Sequence, residues 1–388
     1  MTTPTQTQAP AAENGRRKPL LLALAGAFGL AAVAYGVYWY SHGRYYVETD
    51  NAYVAGNVVQ VTPQTAGTIV AIAADDTDFV EAGQPLVVLD AADAQLALET
   101  AEVQLGQTVR ETRTLYANDG TLRATVTLRE ADLARAKQDL QRRQALAGTG
   151  AVAGEEIQHA RDALKAAEAG VQAAREQLAA NQALIARTTP KSHPNVQRAA
   201  LKVKEAQLAL SRTTVPAPVS GFVARRAAQP GQRVGVGAPL MAVVPLDQLW
   251  VDANFKESQL RDMRMGQPVT LRADVYGDEV VYHGKVAGFA AGTGAAFSLL
   301  PAQNATGNWI KVVQRLPVRI ALDAKEIAEH PLRVGLSMRA EVETHDKSGP
   351  QLASVRRTAP VAETRVFDGL IKTAAGKAAA VLNAEAGQ

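Results

Sequence analysis

Gly67-Thr68-Ile69-Val70, Val80 and Gly83-Gln84-Pro85-Leu86 return later in the chain as Gly221-Phe222-Val223-Ala224, Val234 and Gly237-Ala238-Pro239-Leu240. The steps from Gly67 to Gly221, Val80 to Val234 and Gly83 to Gly237 are identical, 154 residues each. A constant offset across Gly, Pro and apolar positions marks an internal repeat, two β-type half-domains parted by an insertion. The insertion must leave the small domain and come back to it, the geometry of a hairpin on a β base. Gly67 and Gly221 are expected in equivalent turns, where a Cβ would strain the backbone or obstruct a neighbouring strand.

The insertion carries a helical signature. Ile157, Leu164, Val171, Leu178 and Ile185 fall seven apart, with Ala160, Ala167, Ala174 and Asn181 between them. Large apolar residues alternating with Ala along a seam describe a closely packed antiparallel coiled coil. Val126, Leu133 and Leu140 repeat at seven on the outgoing arm, and Val196, Val203 and Leu210 on the returning one. Residues 148–154, Gly148-Thr149-Gly150-Ala151-Val152-Ala153-Gly154, are a turn by composition. Asn118-Asp119-Gly120 on one arm and the segment between Pro190 and Pro194 on the other suggest a joint interrupting both arms at similar height. At ~1.5 Å per residue the whole hairpin would reach roughly 80 Å.

Residues 20–40 contain no charge, follow Arg16-Arg17-Lys18, and end in Tyr35, Tyr38, Trp39 and Tyr40. About 20 apolar residues span a bilayer core, aromatic residues sit at headgroup level, and basic residues mark the cytoplasmic side. An uncleaved anchor with a cytoplasmic N-terminus follows. The competing reading is a cleaved signal peptide with a small-residue site at Ala32-Val33-Ala34, which the length and the aromatic belt disfavour.

Composition excludes more than it suggests. Among 388 residues there is no Cys, which removes disulfides and thiol chemistry, and a net charge of +3 gives no case for nucleic acid. His42, His159, His193, His283, His330 and His345 are dispersed, with none paired at metal-ligand spacing. Asp75-Asp76 and Asp78 read as solvated turn carboxylates before a metal site, and Asn304-Ala305-Thr306 is a weak glycosylation triplet. No catalytic, cofactor-binding or metal site is expected.

The Gly–Pro repeat resembles the two halves of a biotinyl/lipoyl carrier domain split by a helical hairpin, as in the periplasmic adaptor, or membrane fusion protein (haemolysin-D-like), family. Thr49-Asp50-Asn51-Ala52-Tyr53-Val54, Val251-Asp252-Ala253-Asn254-Phe255-Lys256-Glu257 and the run over residues 292–317 are similar to EmrA-type multidrug export adaptors. The resemblance implies an elongated α+β protein with a single transmembrane helix. It places a cytoplasmic tail at residues 1–19, the span at 20–40, lipoyl-like halves at 47–92 and 213–246, and a coiled-coil hairpin at 93–212. An antiparallel β-barrel at 247–345 and a loose tail at 346–388 complete it.

It also implies partners: an inner-membrane major-facilitator-type antiporter, a TolC-type outer-membrane channel met by the hairpin tip, and further copies of the chain as a trimer or hexamer. The tip residues would be Arg142, Leu146, Gly148, Gly150 and Val152. Many adaptors follow that Arg and Leu with a Ser; here Ala153 stands in its place. A biotin or lipoyl carrier is the rival from another class, but Asp90-Ala91-Ala92-Asp93 offers no Lys where a carrier needs one. A type I secretion adaptor serving an ABC transporter keeps the architecture and changes the partner. Intact-mass measurement of membrane-extracted protein should find the full N-terminus; loss of about 34 residues would establish the signal-peptide reading instead.

Overall fold

In the computed structural model the repeat builds one β domain, and it does so by exchange. The structure describes residues 2–3, 17–41, 43–294, 296–297, 312–352, 356 and 358–386. In chain order the elements are α1 (Arg17–Ser41), β1 (Tyr46–Ala55), β2 (Val59–Val61), β3 (Gly67–Ile72), β4 (Phe79–Val80), β5 (Pro85–Leu89) and α2 (Ala92–Leu146). There follow α3 (Gly154–Ile185), α4 (Pro194–Ser211), β6 (Thr214–Pro216), β7 (Gly221–Ala224), β8 (Arg233–Val234) and β9 (Met241–Val244). The remainder is β10 (Trp250–Lys256), β11 (Pro268–Ala273), β12 (Tyr282–Phe289), β13 (Arg315–Leu322), α5 (Ala324–Glu329), β14 (Ser337–Glu343) and α6 (Leu370–Ala386). Two compact units result, Met1–Val58 with Val244–Ala362 and Val59–Val243 with Glu363–Gln388.

In the second unit two four-stranded sheets run β2-β9-β7-β4 and β6-β5-β3-β8. Each takes its central pair from one half and its flanks from the other. Gly67 pairs with Val234 and Thr68 with Arg233; in the mirror position Gly221 pairs with Val80 and Phe222 with Phe79. The Gly83 amide donates to the Ala217 carbonyl at 2.8 Å, and the Gly237 amide to that of Pro63 at 3.1 Å. Every one of these contacts repeats at the 154-residue offset. Ile69, Leu86, Leu89, Val223 and Leu240 pack between the sheets.

The four repeat glycines divide by role. Gly83 and Gly237 take φ of +88° and +80°, the left-handed region that glycine enters without steric cost. Gly67 and Gly221 are not turn residues but strand entries. A Cβ on Gly67 would stand 3.3 Å from that of Leu89. The Asp75 cluster is spent on the same interface: Arg226 reaches Asp75 at 2.6 Å and donates its amide to Asp76 at 2.8 Å. The guanidinium holds the Asp75 carboxyl below the usual carboxylate range.

The hairpin departs from expectation on one side. The outgoing arm, α2, runs unbroken through Asn118-Asp119-Gly120. Asp119 pairs with Arg123 one turn on at 2.7 Å, and Asn118 donates to Asn181 across the seam at 3.3 Å. These contacts offset the ~1 kcal/mol that an exposed mid-helix Gly costs. Only the returning arm breaks. Arg187 adopts φ +58°, and α4 restarts at Pro194 with His193 as its cap, the Asn195 amide donating to Nδ1 at 3.3 Å. Between residues 157 and 185 the covered positions are the nine seam residues and Gly170.

Two further corrections concern the barrel and the tail. Residues 46–55 belong not to the lipoyl-like half but to the six-stranded closed barrel, order β1-β10-β13-β12-β11-β14. An alternating strand looks the same whichever sheet recruits it, and only the distant partners β10 and β14 decide. Phe255, Tyr282, Leu271, Ile320 and Met338 fill the barrel. Val312 and Val313 precede β13 without joining a strand. Residues 295 and 298–311 of the 292–317 run, the Asn304 triplet, and most of residues 1–19 lie outside the described residues.

The expected loose tail instead contains α6, a 17-residue helix docked on α2 and α4 at the hairpin root. Ala374 and Ala378 are buried, Lys377 meets Glu102 at 2.8 Å, and Arg110 meets Glu385 at 2.9 Å. Ala378→Asp should bury an unpaired carboxylate and cost about 3 kcal/mol or more. Hydrogen exchange should then show α6 amides opening while barrel amides stay protected.

Candidate functional site

The far end of the hairpin is the one place where the expected site residues converge. After Leu146 the chain makes a single 3-10 turn, Ala147–Thr149, and reverses at Gly150, whose φ is +75°. Helix α3 starts at Gly154 with Ala153 as its N-cap. Residues 147–153 carry no charge, so the tip can enter an apolar or carbonyl-lined groove without desolvating an ion. Leu146 is 48% exposed, Val152 is half-buried, and a Cβ on Gly148 or Gly150 would meet nothing within 4 Å.

One turn below lies a charged collar. Arg143 binds Asp139 on its own helix at 2.8 Å and Glu156 on the other arm at 3.7 Å, tying the two helices just under the turn. Arg142 is largely exposed and leans on the same Asp139 at 3.4 Å. The Arg143 hydrogen bond, aided by the Arg142 charge, holds Asp139 below the usual carboxylate range. Its contribution is therefore present at neutral pH and fades as pH falls through that lowered pKa. The collar escaped the sequence reading, although Asp139 and Arg143 stand at i, i+4, the spacing of helical ion pairs.

Ala153 acquires a physical meaning here. The N-cap residue ordinarily supplies an oxygen to the first free amides of a helix, and Ala has none. Glu155 and Glu156 in the first turn compensate only through their charge on the helix dipole. Gly67, Gly83, Gly221 and Gly237 lie in the β domain and take no part in this site. Among the described residues no group of His, Asp or Glu is arranged to hold a metal.

At the N-terminus α1 presents Leu22, Phe28, Leu30 and Val33 outward, each at least 65% exposed. The helix is long and apolar enough to cross a bilayer. One such helix among the described residues, a β domain split by a coiled-coil hairpin, and a six-stranded barrel define the fold of a membrane fusion adaptor.

Comparison with known proteins narrows the class. Residues 92–213 match the family described as EMRA, alpha-helical hairpin domain. The chain is 48% identical over 384 residues to the multidrug export protein EmrA of Escherichia coli (strain K12), covering 96% of this chain and 98% of that protein. It is 53% identical over 336 residues to the fatty acid resistance protein FarA of Neisseria gonorrhoeae, covering 86% and 85%. A solved structure of the periplasmic adaptor protein EmrA aligns with 77% of this chain and 99% of its own at 20% identity and a TM-score of 0.41. On the strength of the sequence relatives, the chain belongs to the EmrA family of export adaptors. The relatives are adaptor proteins rather than enzymes.

Restoring the missing cap gives a direct test of the tip geometry. Ala153→Ser should stabilise the start of α3 by about 1 kcal/mol. Amides 155 and 156 should then exchange roughly fivefold more slowly, with the rest of the hairpin unchanged.

Proposed function

We propose that this chain is the adaptor of a tripartite efflux pump, joining an inner-membrane major-facilitator-type antiporter to a TolC-type outer-membrane channel for export of toxic hydrophobic compounds. The observation that carries the reading is 48% identity, over nearly the whole of both chains, to a protein named for multidrug export. FarA adds fatty acids as a cargo class, since its name attaches to resistance against them. Type I protein secretion with an ABC transporter is not favoured by these relatives.

On this reading α1 anchors the chain in the inner membrane with its N-terminus in the cytoplasm, in keeping with Arg16-Arg17-Lys18, and the bulk is periplasmic. The hairpin tip meets the channel. Leu146 supplies the exposed apolar contact, Gly148 and Gly150 permit close backbone approach, Val152 backs them, and Arg142 can exchange Asp139 for a carboxylate or carbonyl of the channel. Further copies pack beside the hairpin in a trimer or hexamer. Leu128 and Leu184, more than half exposed on a coil with a single seam, support such lateral neighbours.

The test is export from cells lacking the native adaptor. Leu146→Asp should abolish export while the protein remains folded and still co-purifies with its transporter. Gly150→Arg should do the same, but a side chain at φ +75° also strains the turn. Gly150→Asn, which tolerates that φ without charge, should therefore retain most activity. Wild-type export from Leu146→Asp would remove the tip from the mechanism.

A further inference from the structure

Beside the break between α3 and α4 the second unit carries an open recess of about 310 Å³. Its walls come from three elements that are far apart in sequence. Helix α2 contributes Val109 and Arg113, the interrupted arm contributes Thr189, Pro190 and Lys191, and α6 contributes Leu382. The size falls at the lower end of small-molecule sites, and the composition is that of such sites: an apolar body with a few convergent polar groups.

The charge balance around it is uneven. Two carboxylates of the same bundle are committed elsewhere, Glu102 to Lys377 at 2.8 Å and Glu385 to Arg110 at 2.9 Å. Glu111 accepts from Gln107 at 2.8 Å. No carboxylate among the described residues pairs with Arg113, which is half-buried, or with Lys191, which is exposed and whose ammonium donates to the neutral Asn383 side chain at 3.1 Å. Two cations without counter-charge thus share one recess with Val109, Pro190 and Leu382. A half-buried guanidinium ordinarily finds an anion, because taking its charge out of water is otherwise uncompensated.

We propose that this cavity binds amphipathic organic anions, a carboxylate or similarly acidic group on a compact hydrocarbon body. Arg113 takes the anionic head through its planar fork, Lys191 adds a second charge, and the tail lies on Val109, Pro190 and Leu382. The proposal deepens the adaptor reading by giving the adaptor its own contact with cargo, and its purpose rests on that reading. Because α6 forms one wall, an occupant also bridges the C-terminal helix to the break in the returning arm.

The experiment uses the full chain in nanodiscs, with decanoate as probe and decanol as its uncharged counterpart. Calorimetry should register saturable decanoate binding above empty discs and little from decanol. Arg113→Gln should weaken decanoate about tenfold, and the double variant with Lys191→Gln further, the scale of losing hydrogen bonds to charged groups. In the wild-type chain decanoate should slow hydrogen exchange along α6, a readout that does not depend on any variant folding. Decanoate affinity in the double variant within threefold of wild type, equal binding of decanol, or unchanged α6 exchange would each overturn the site. Export measured alongside separates the two readings. Normal export with no decanoate binding discards the cavity and keeps the adaptor, whereas binding retained in a chain that supports no export does the reverse.

Discussion

Strands β5 and β6 pair side by side, Val87 against Val215 and Val88 against Thr214, and the rest of the architecture depends on that ladder. Neighbouring strands stand about 4.8 Å apart, so both feet of the hairpin are fixed within one strand spacing of each other. The Leu89 amide extends the ladder to the Thr213 carbonyl at 2.8 Å, immediately before α2 departs and after α4 returns. An antiparallel coiled coil is the natural continuation of two chains leaving a sheet in this way. The strand exchange then locks the base, because neither half can complete a sheet without flanks from the other.

Stiffness in the hairpin follows from its asymmetry. A break in both arms at one height would make a hinge. Here the 55-residue α2 passes the break in the other arm uninterrupted, with Tyr116 hydrogen-bonded to Thr188 at 2.7 Å and Asn181 donating to the Leu115 carbonyl at 3.2 Å. The break acts as a change of direction in one arm, splinted by its neighbour. Polar seam contacts at this height favour one register over slipped alternatives, as a single buried Asn does in other coiled coils. Below the break α6 lies along α2 and α4 as a third helix, which a two-helix root with one seam would lack.

Much of this was legible in the sequence because it rests on periodicity. The 154-residue offset gave the split domain, and the heptads of Ile157 to Ile185 gave the buried seam residue by residue. What escaped was set by distant partners. Residues 46–55 alternate like any strand, and nothing local says that their neighbours are β10 and β14. Asn118-Asp119-Gly120 has turn composition, yet contacts to Arg123 and Asn181 hold it helical. Helix α6 was missed because its buried positions are Ala, although Ala374, Ala378 and Leu382 keep the four-residue step of a packed face. At the tip, composition located the turn, while the collar of Asp139, Arg143 and Glu156 needed both arms to be seen together.

The nesting of these closures imposes a chronology on assembly. Helix α2 can zip onto α3 as soon as residues near 185 exist, but the split domain stays open until β9 at Met241–Val244 supplies its strand. The barrel waits longer, since β1 borders both β10 and β14, and β14 ends at Glu343. Until β10 at Trp250–Lys256 emerges β1 is an unpaired ten-residue edge, the kind of template on which chains associate wrongly. The closures thus run from the innermost loop outward, and α6, made last, returns to α2 and α4. A chain interrupted late in synthesis would hold a finished stalk and split domain beside a barrel still lacking β14.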